Sequence, residues 1–311
     1  MQFVSTRGES PPVGFGDAIL SAYAPDGGLY VPERLPALPA DKLASMKDMG
    51  YPEVAATVLA LFAGDSVPFQ TLLEMATEAY GPRSFQAADP LPLHKLEKGL
   101  FVLETFHGPT AAFKDIGLQM VSRLLSYFLN KQGRSATVVV ETSGDTGPAA
   151  LQACAGVPGV QIMCLFPKGR VSRIQELQLT TAQGDASNLH VYQTHGNTDD
   201  QAMVLKEIFS DKSFCDQHGV CSINSINVGR VVTQASYYVY AYLRAVKRGC
   251  TGADPTPLWG LWKRGCIGIL TWWGLWAGHL RDPDLVGVGD CGGATADPDP
   301  HGDQKRLAVG S

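Results

Sequence analysis

From about residue 98 to residue 249, β-branched apolar runs alternate with segments of helical periodicity, and this rhythm restricts the fold more than any other feature. GLFVLETF, ATVVVETS, VQIMCLFP and NLHVYQTH read as strands. FKDIGLQMVSRLLSYFLNKQG is a long helical pattern with Ile116, Met120, Leu124 and Phe128 on one face, and GPAALQACAG, VSRIQELQLTTAQG, TDDQAMVLKEIFSD and NVGRVVTQASYYVYAYLRAVKRG follow as further helices. Such alternation is the mark of βαβ units on a largely parallel sheet, so the expected class is α/β.

The flanks are built differently. Residues 1–97 carry turn punctuation at Pro25-Asp26-Gly27-Gly28 and two helical patterns, PEVAATVLALFAG and FQTLLEMATEAYG, which predict a small N-terminal lobe. Residues 250–311 lose the rhythm: all five tryptophans fall between Trp259 and Trp276, followed by a Gly-, Asp- and Pro-rich stretch. That composition predicts a divergent, poorly ordered tail, of the kind an alternative exon or shifted reading frame would produce.

The formal charge of −5 over 311 residues gives no support to a nucleic-acid partner. No run reaches the roughly 20 apolar residues of a spanning helix, and the N-terminus lacks a secretory pattern, so a cytoplasmic setting is expected. The seven cysteines are scattered and fit reduced thiols. Cys215, His218 and Cys221 are evenly spaced, but no fourth ligand accompanies them and no metal is expected.

A lysine that attacks a carbonyl must be neutral, which burial or nearby positive charge can bring about. Lys114, in FHGPTAAFKD at the entry to the long helix, has apolar neighbours and the positive end of a helix dipole. Ser143, Gly144, Asp145 and Thr146 lie between a strand and a helix; the same residues cap a helix and present N–H groups to an anion. Lys168 and Arg170 follow a strand's C-terminal end, where α/β sites gather. Asn227 and Arg230 open the last helix, with Asn224 and Ser225 just before it; Thr198 and Asp199 read as caps.

VSTRG at 4–8, APDGGLYVPE at 24–33, HGPTAAFKD at 107–115, ETSGDTGPAA at 141–150, FPKGRVSRIQELQL at 166–179, HGNTDDQA at 195–202 and INSINVGR at 223–230 occur in an order and spacing that resemble the threonine synthase family over residues 1–249. The resemblance implies the fold-type II, tryptophan synthase β-like architecture of pyridoxal 5'-phosphate enzymes, here with an incomplete C-terminal half. It implies Lys114 as the Schiff-base lysine and Phe113, Asp115 and the 143–146 loop as cofactor neighbours. It places Ser143, Thr146, Lys168, Arg170, Asn227 and Arg230 beside an O-phosphorylated amino acid, O-phosphohomoserine or O-phosphothreonine. The family's cofactor-phosphate loop should follow residue 249, and GDCGGATA at 289–296 does not match it. Impaired phospho-lyase activity is therefore expected. The competing reading is a non-catalytic variant with a partner-binding or secreted signalling role.

Overall fold

The computed structural model describes residues 1–249 apart from 98, 99, 183 and 185. The N-terminal part runs β1 (Phe3–Ser5), α1 (Phe15–Leu20), β2 (Tyr30–Pro32), α2 (Ala40–Ser45), α3 (Tyr51–Ala63), α4 (Phe69–Ala79) and a hairpin of β3 (Leu93–Glu97) and β4 (Leu100–Leu103). Glu53 accepts a hydrogen bond from the Gly50 N–H at 2.7 Å and so fixes the start of α3; Gly64, at φ 53°, stops it. Then follow α5 (Lys114–Gln132), β5 (Ala136–Glu141), α6 (Thr146–Cys154), β6 (Val160–Pro167), α7 (Arg173–Thr181), β7 (Leu189–Thr194), α8 (Thr198–Ser210), α9 (Lys212–His218), β8 (Val220–Cys221) and α10 (Val228–Lys247).

The main sheet has the order β7-β6-β5-β8, and every pairing in it is parallel. Two of its members differ from the sequence reading. The segment around 99–106 does not join it: β4 pairs antiparallel with β3, because its alternate residues, such as Val102, face solvent rather than two covering layers. The fourth strand is instead β8, two residues long, which escapes any periodicity test.

Between β5 and β8 the winding direction reverses. Chains β5, β6 and β7 step one way across the sheet, and β8 returns to the other side of β5. A crevice forms outside the carboxyl ends of strands at such a reversal, which is where open α/β sheets hold ligands. The helices above this crevice are fixed by one hydrophobic core that runs from Phe3 and Tyr51 through Ile116 and Val138 to Tyr240, so the N-terminal lobe expected over residues 1–97 has no core of its own. Among the described residues no helix is long and apolar enough to cross a membrane. The readings made for residues 250–311, including the 289–296 segment, lie outside the described residues.

Candidate active site

Lys114 is the first residue of α5, and the loop before it is held by its neighbour. The Asp115 side chain is fully buried; it accepts from the Thr110 N–H at 2.9 Å, the Thr110 hydroxyl at 2.7 Å and the Ala112 N–H at 3.4 Å. Burial raises its pKa and these donors oppose the rise. A side chain at Gly108 would come within 2.5 Å of the Asp115 Cβ, and Ala111 adopts φ 57°, so the loop is tight and bent by design of the sequence around it. Asp115 was expected among the cofactor neighbours. Both its oxygens are engaged in holding the loop, one position along from Lys114.

With the loop fixed, the Lys114 side chain, 16% exposed, passes over the Phe113 ring at 4.5 Å. Its Nζ donates to Asp145 Oδ1 at 2.5 Å. Burial holds the lysine pKa below its ordinary value, Arg230 adds to that lowering, and Asp145 opposes it.

Asp145 belongs to the turn between β5 and α6, which is organised by a residue the sequence reading did not single out. The buried Thr142 hydroxyl accepts from the Gly144 N–H at 3.1 Å and the Gly147 N–H at 3.0 Å. Gly147 has to be glycine: a Cβ there would lie 2.5 Å from Thr142 Cγ2 and 2.7 Å from Leu179 Cδ2. The N–H groups of Ser143, Asp145 and Thr146 have no acceptor among the described residues. Ser143 is exposed, and Gly144, Asp145 and Thr146 are partly so. Helix α7 braces both loops: Gln178 donates to the Thr110 carbonyl at 3.2 Å, and the Gln175 amide lies against Gly144.

The other wall is the start of α10. Asn227 is fully buried; its amide donates to the Ile19 carbonyl at 2.7 Å and the Ser222 carbonyl at 2.8 Å, and its oxygen accepts from the Gly229 N–H at 2.8 Å. These donors and this acceptor join α1, β8 and α10. Arg230 behaves otherwise. It is 5% exposed, its Nε donates to Gln234 at 3.3 Å, and its two terminal nitrogens have no partner among the described residues. Burial brings its pKa down to about 10, against the pull of Asp145 and Glu141.

Glu141, at the end of β5, and Asn224, after β8, close the crevice floor. The Asn224 amide donates to the Glu141 carboxylate and carbonyl, which ties the two strands at the reversal. Burial raises the Glu141 pKa. The Asn224 side-chain oxygen is buried without a partner. Tyr23 stands close enough for Glu141, after burial, to raise its pKa as well. Neither Glu141 nor Tyr23 carried a sequence signal, because their relation to Asn224 and Arg230 exists only once β5 and β8 are side by side.

Lys168 and Arg170 sit on an exposed turn beyond β6, with no side-chain partner among the described residues. They follow the carboxyl end of β6 and are not bonded to Lys114. Cys215 donates to the Ile208 carbonyl at 3.3 Å, Cys221 is buried in β8, and His218 packs on Phe214; among the described residues no three metal-binding side chains converge. The arrangement therefore offers an amine of reduced basicity, unpaired N–H groups at a helix start and a buried guanidinium with free donors. These together suit a carbonyl compound that carries negative charge.

Two family models match in succession along the chain: "Threonine synthase N terminus" over residues 2–80 and "Pyridoxal-phosphate dependent enzyme" over residues 77–243, which includes Lys114. The chain is 40% identical to threonine synthase-like 2 of Mus musculus over 257 residues, which cover 82% of this chain and 52% of the mouse protein. It is 39% identical to threonine synthase of Schizosaccharomyces pombe over 258 residues, 80% of this chain and 49% of the yeast one. The crystal structure of a PLP-bound threonine synthase from Brucella melitensis superposes with a TM-score of 0.73 at 41% identity, covering 81% of this chain and 53% of that one. The chain thus spans about half the length of the curated relatives it matches.

Proposed function

The chain belongs to the pyridoxal-phosphate dependent enzyme family, in its threonine synthase branch, and on that premise we propose that Lys114 binds pyridoxal 5'-phosphate for the removal of phosphate from an O-phosphorylated amino acid. The observation that carries this reading is the Lys114 amine, buried and lowered in basicity, facing Asp145 and Arg230 across the sheet's reversal point.

The residues present fit the cofactor. The group is an aldehyde that carries a phosphate; Lys114 supplies the amine, and the Phe113 ring lies beside that amine. When bound, pyridoxal phosphate supplies a sink for the electron pair left as the substrate Cα–H bond breaks. The protein contributes position and proton handling. Lys114 Nζ, when free and neutral, would take the proton from the substrate Cα. Its reduced basicity favours the neutral form that this step needs. N–H groups of the 143–146 loop hold the substrate carboxylate. The Arg230 guanidinium, its side chain buried and its tip unpaired among the described residues, can take a phosphate or carboxylate in a bidentate grip. Lys168 and Arg170, beyond the carboxyl end of β6, draw a dianionic substrate inward. Thr142, Asp115, Asn224 and Asn227 hold these groups where they are. The expectation of impaired turnover rests on residues 250–311 and so lies outside the described residues.

Borohydride reduction of the protein with pyridoxal phosphate, followed by peptide mapping, should place the pyridoxyl group on Lys114. Phosphate release from O-phosphohomoserine and O-phosphothreonine should vanish in Lys114→Ala. A pyridoxyl group on Lys168 or elsewhere would overturn the lysine assignment, and release that survives Lys114→Ala would overturn the mechanism.

A further inference from the structure

The Lys114–Asp145 contact has a property that the reaction itself does not require. Lys114 Nζ sits 2.5 Å from Asp145 Oδ1, and the carboxylate is 40% exposed whereas the lysine side chain is 16% exposed. The lysine is thus a largely dry cation that leans on one wetter anion. The charged groups around it come from every packed element. Asp145 faces it from the start of α6, and Arg230 from the first turn of α10. On its own helix, Asp115 is turned into the 108–112 loop and bound there by Thr110 and Ala112. Glu141, on β5, is engaged by Asn224. Lys168 and Arg170 are exposed on their turn. Of these groups only Asp145 forms an ion pair with Lys114.

We propose that Asp145 is a resting dock for the Lys114 side chain, a positioning carboxylate that holds the amine as an ion pair and so sets how readily it attacks a carbonyl. The inference extends the reading of Lys114 as the reacting lysine. An ammonium has no lone pair, so the docked form cannot attack. Reaction requires the proton to leave for solvent, which the exposed edge of Asp145 permits. With Asp145 gone, two cations, Lys114 and Arg230, would face each other without a mediator in a poorly solvated space. The lysine would then deprotonate more easily, because both burial and a like charge disfavour its charged form. The dock need not sit there to cap α6, since the Asp145 side chain makes no capping hydrogen bond. Its conservation of charge, not of helix geometry, is what the contact uses.

The test measures the amine without any cofactor. Acetic anhydride acylates neutral amines: the lysine nitrogen bonds to the acyl carbon, acetate leaves, and the displaced proton goes to water. The extent of Lys114 acetylation across pH, read by mass spectrometry of its peptide against a free amine standard, gives its titration curve. Asp145→Asn should move that curve to lower pH and raise Lys114 acetylation near neutral pH about tenfold, which corresponds to a shift of about one pH unit. Asp145→Glu, which keeps the charge, should stay close to the unsubstituted protein, and Ser143→Ala should leave the curve in place. Pyridoxal phosphate loading, followed by absorbance, should move in parallel for Asp145→Asn. Should Asp145→Asn fail to fold, Asp145→Ser is the second uncharged variant. An unchanged Lys114 curve in a folded, uncharged variant overturns the dock. So does an equal shift in Asp145→Glu. Failure of borohydride trapping at Lys114 would instead remove the cofactor reading and leave the labelling result standing.

Discussion

With 3% of its surface exposed, Thr142 has no solvent to replace the two N–H groups it accepts from Gly144 and Gly147. Thr142→Val keeps the shape and deletes the acceptor. It should cost about 1–3 kcal/mol in urea unfolding and weaken pyridoxal phosphate retention, whereas Thr142→Ser should keep most of both. A valine variant with unaltered unfolding midpoint and cofactor retention would show that the turn does not depend on the hydroxyl. Asp26 gives a pH-dependent counterpart near the other end of the chain. Although desolvation works against it, hydrogen bonds from the Ser5 hydroxyl and the Gly28, Glu9 and Ser10 groups hold its carboxyl down at about 2. A carboxyl depressed on folding stabilises above its unfolded pKa and loses that contribution as pH falls through the folded one. The stability gap between the protein and Asp26→Asn should thus be full above about pH 4 and close toward about pH 2. A gap that persists unchanged at pH 2 would contradict this. Lys114 could be singled out in the sequence because HGPTAAFKD resembles the family's lysine segment; helix entry and apolar neighbours are local signals that a solvated lysine also shows. Thr142, Glu141 and Tyr23 could not, because what makes them matter is a partner distant in sequence or a backbone bend.

At the level of elements, the sequence pattern predicted the longer helices and the three long strands of the sheet well, since each buries faces that recur at a fixed period. It read the segment around 99–106 as a strand but in the wrong sheet, and it missed β8 and the short helices α1, α2 and α9. A strand of two residues carries no period, and its place beside β5 is decided by Asn224 reaching across to Glu141. Asn227 is the joint that matters most here. Asn227→Ala removes a helix cap and strands the buried carbonyls of Ile19 and Ser222. The expected loss is about 2–4 kcal/mol by thermal or urea unfolding, larger than a cap alone. Because Arg230 lies one turn further on, the same variant should loosen anion binding in the crevice. A loss no greater than that of an ordinary surface cap would mean that α1 and β8 are held by other contacts.

For the molecule as a whole, one hydrophobic core joins buried residues on both sides of position 97. The Tyr51 hydroxyl, in α3, meets the Ser236 hydroxyl of α10 at 2.8 Å in the interior, and the Tyr51 ring packs on Tyr80 and Tyr240. The N-terminal helices and the sheet should therefore unfold together. Far-ultraviolet circular dichroism and tyrosine absorbance should give coincident urea curves, and Tyr51→Phe should shift both by about 1 kcal/mol without separating them. Two resolved transitions would show that the N-terminal part is independently stable.

The reversal in the sheet also governs when the site can come into being. Glu141 and Asn224 are 83 positions apart, and Tyr51 and Ser236 are 185 apart. Contacts of such span form late and slowly, because a long loop must close before they repay its entropy. On the ribosome, β5, β6 and β7 emerge in order and can pair with immediate neighbours while α10 is still unmade. Lys114 then has its loop and its Asp145, but neither Arg230 nor the strand that closes the crevice floor. The nascent chain thus passes through a stage that is folded around the lysine yet open on one side, and α10, the last of the described helices to leave the tunnel, completes both the core and the anion grip.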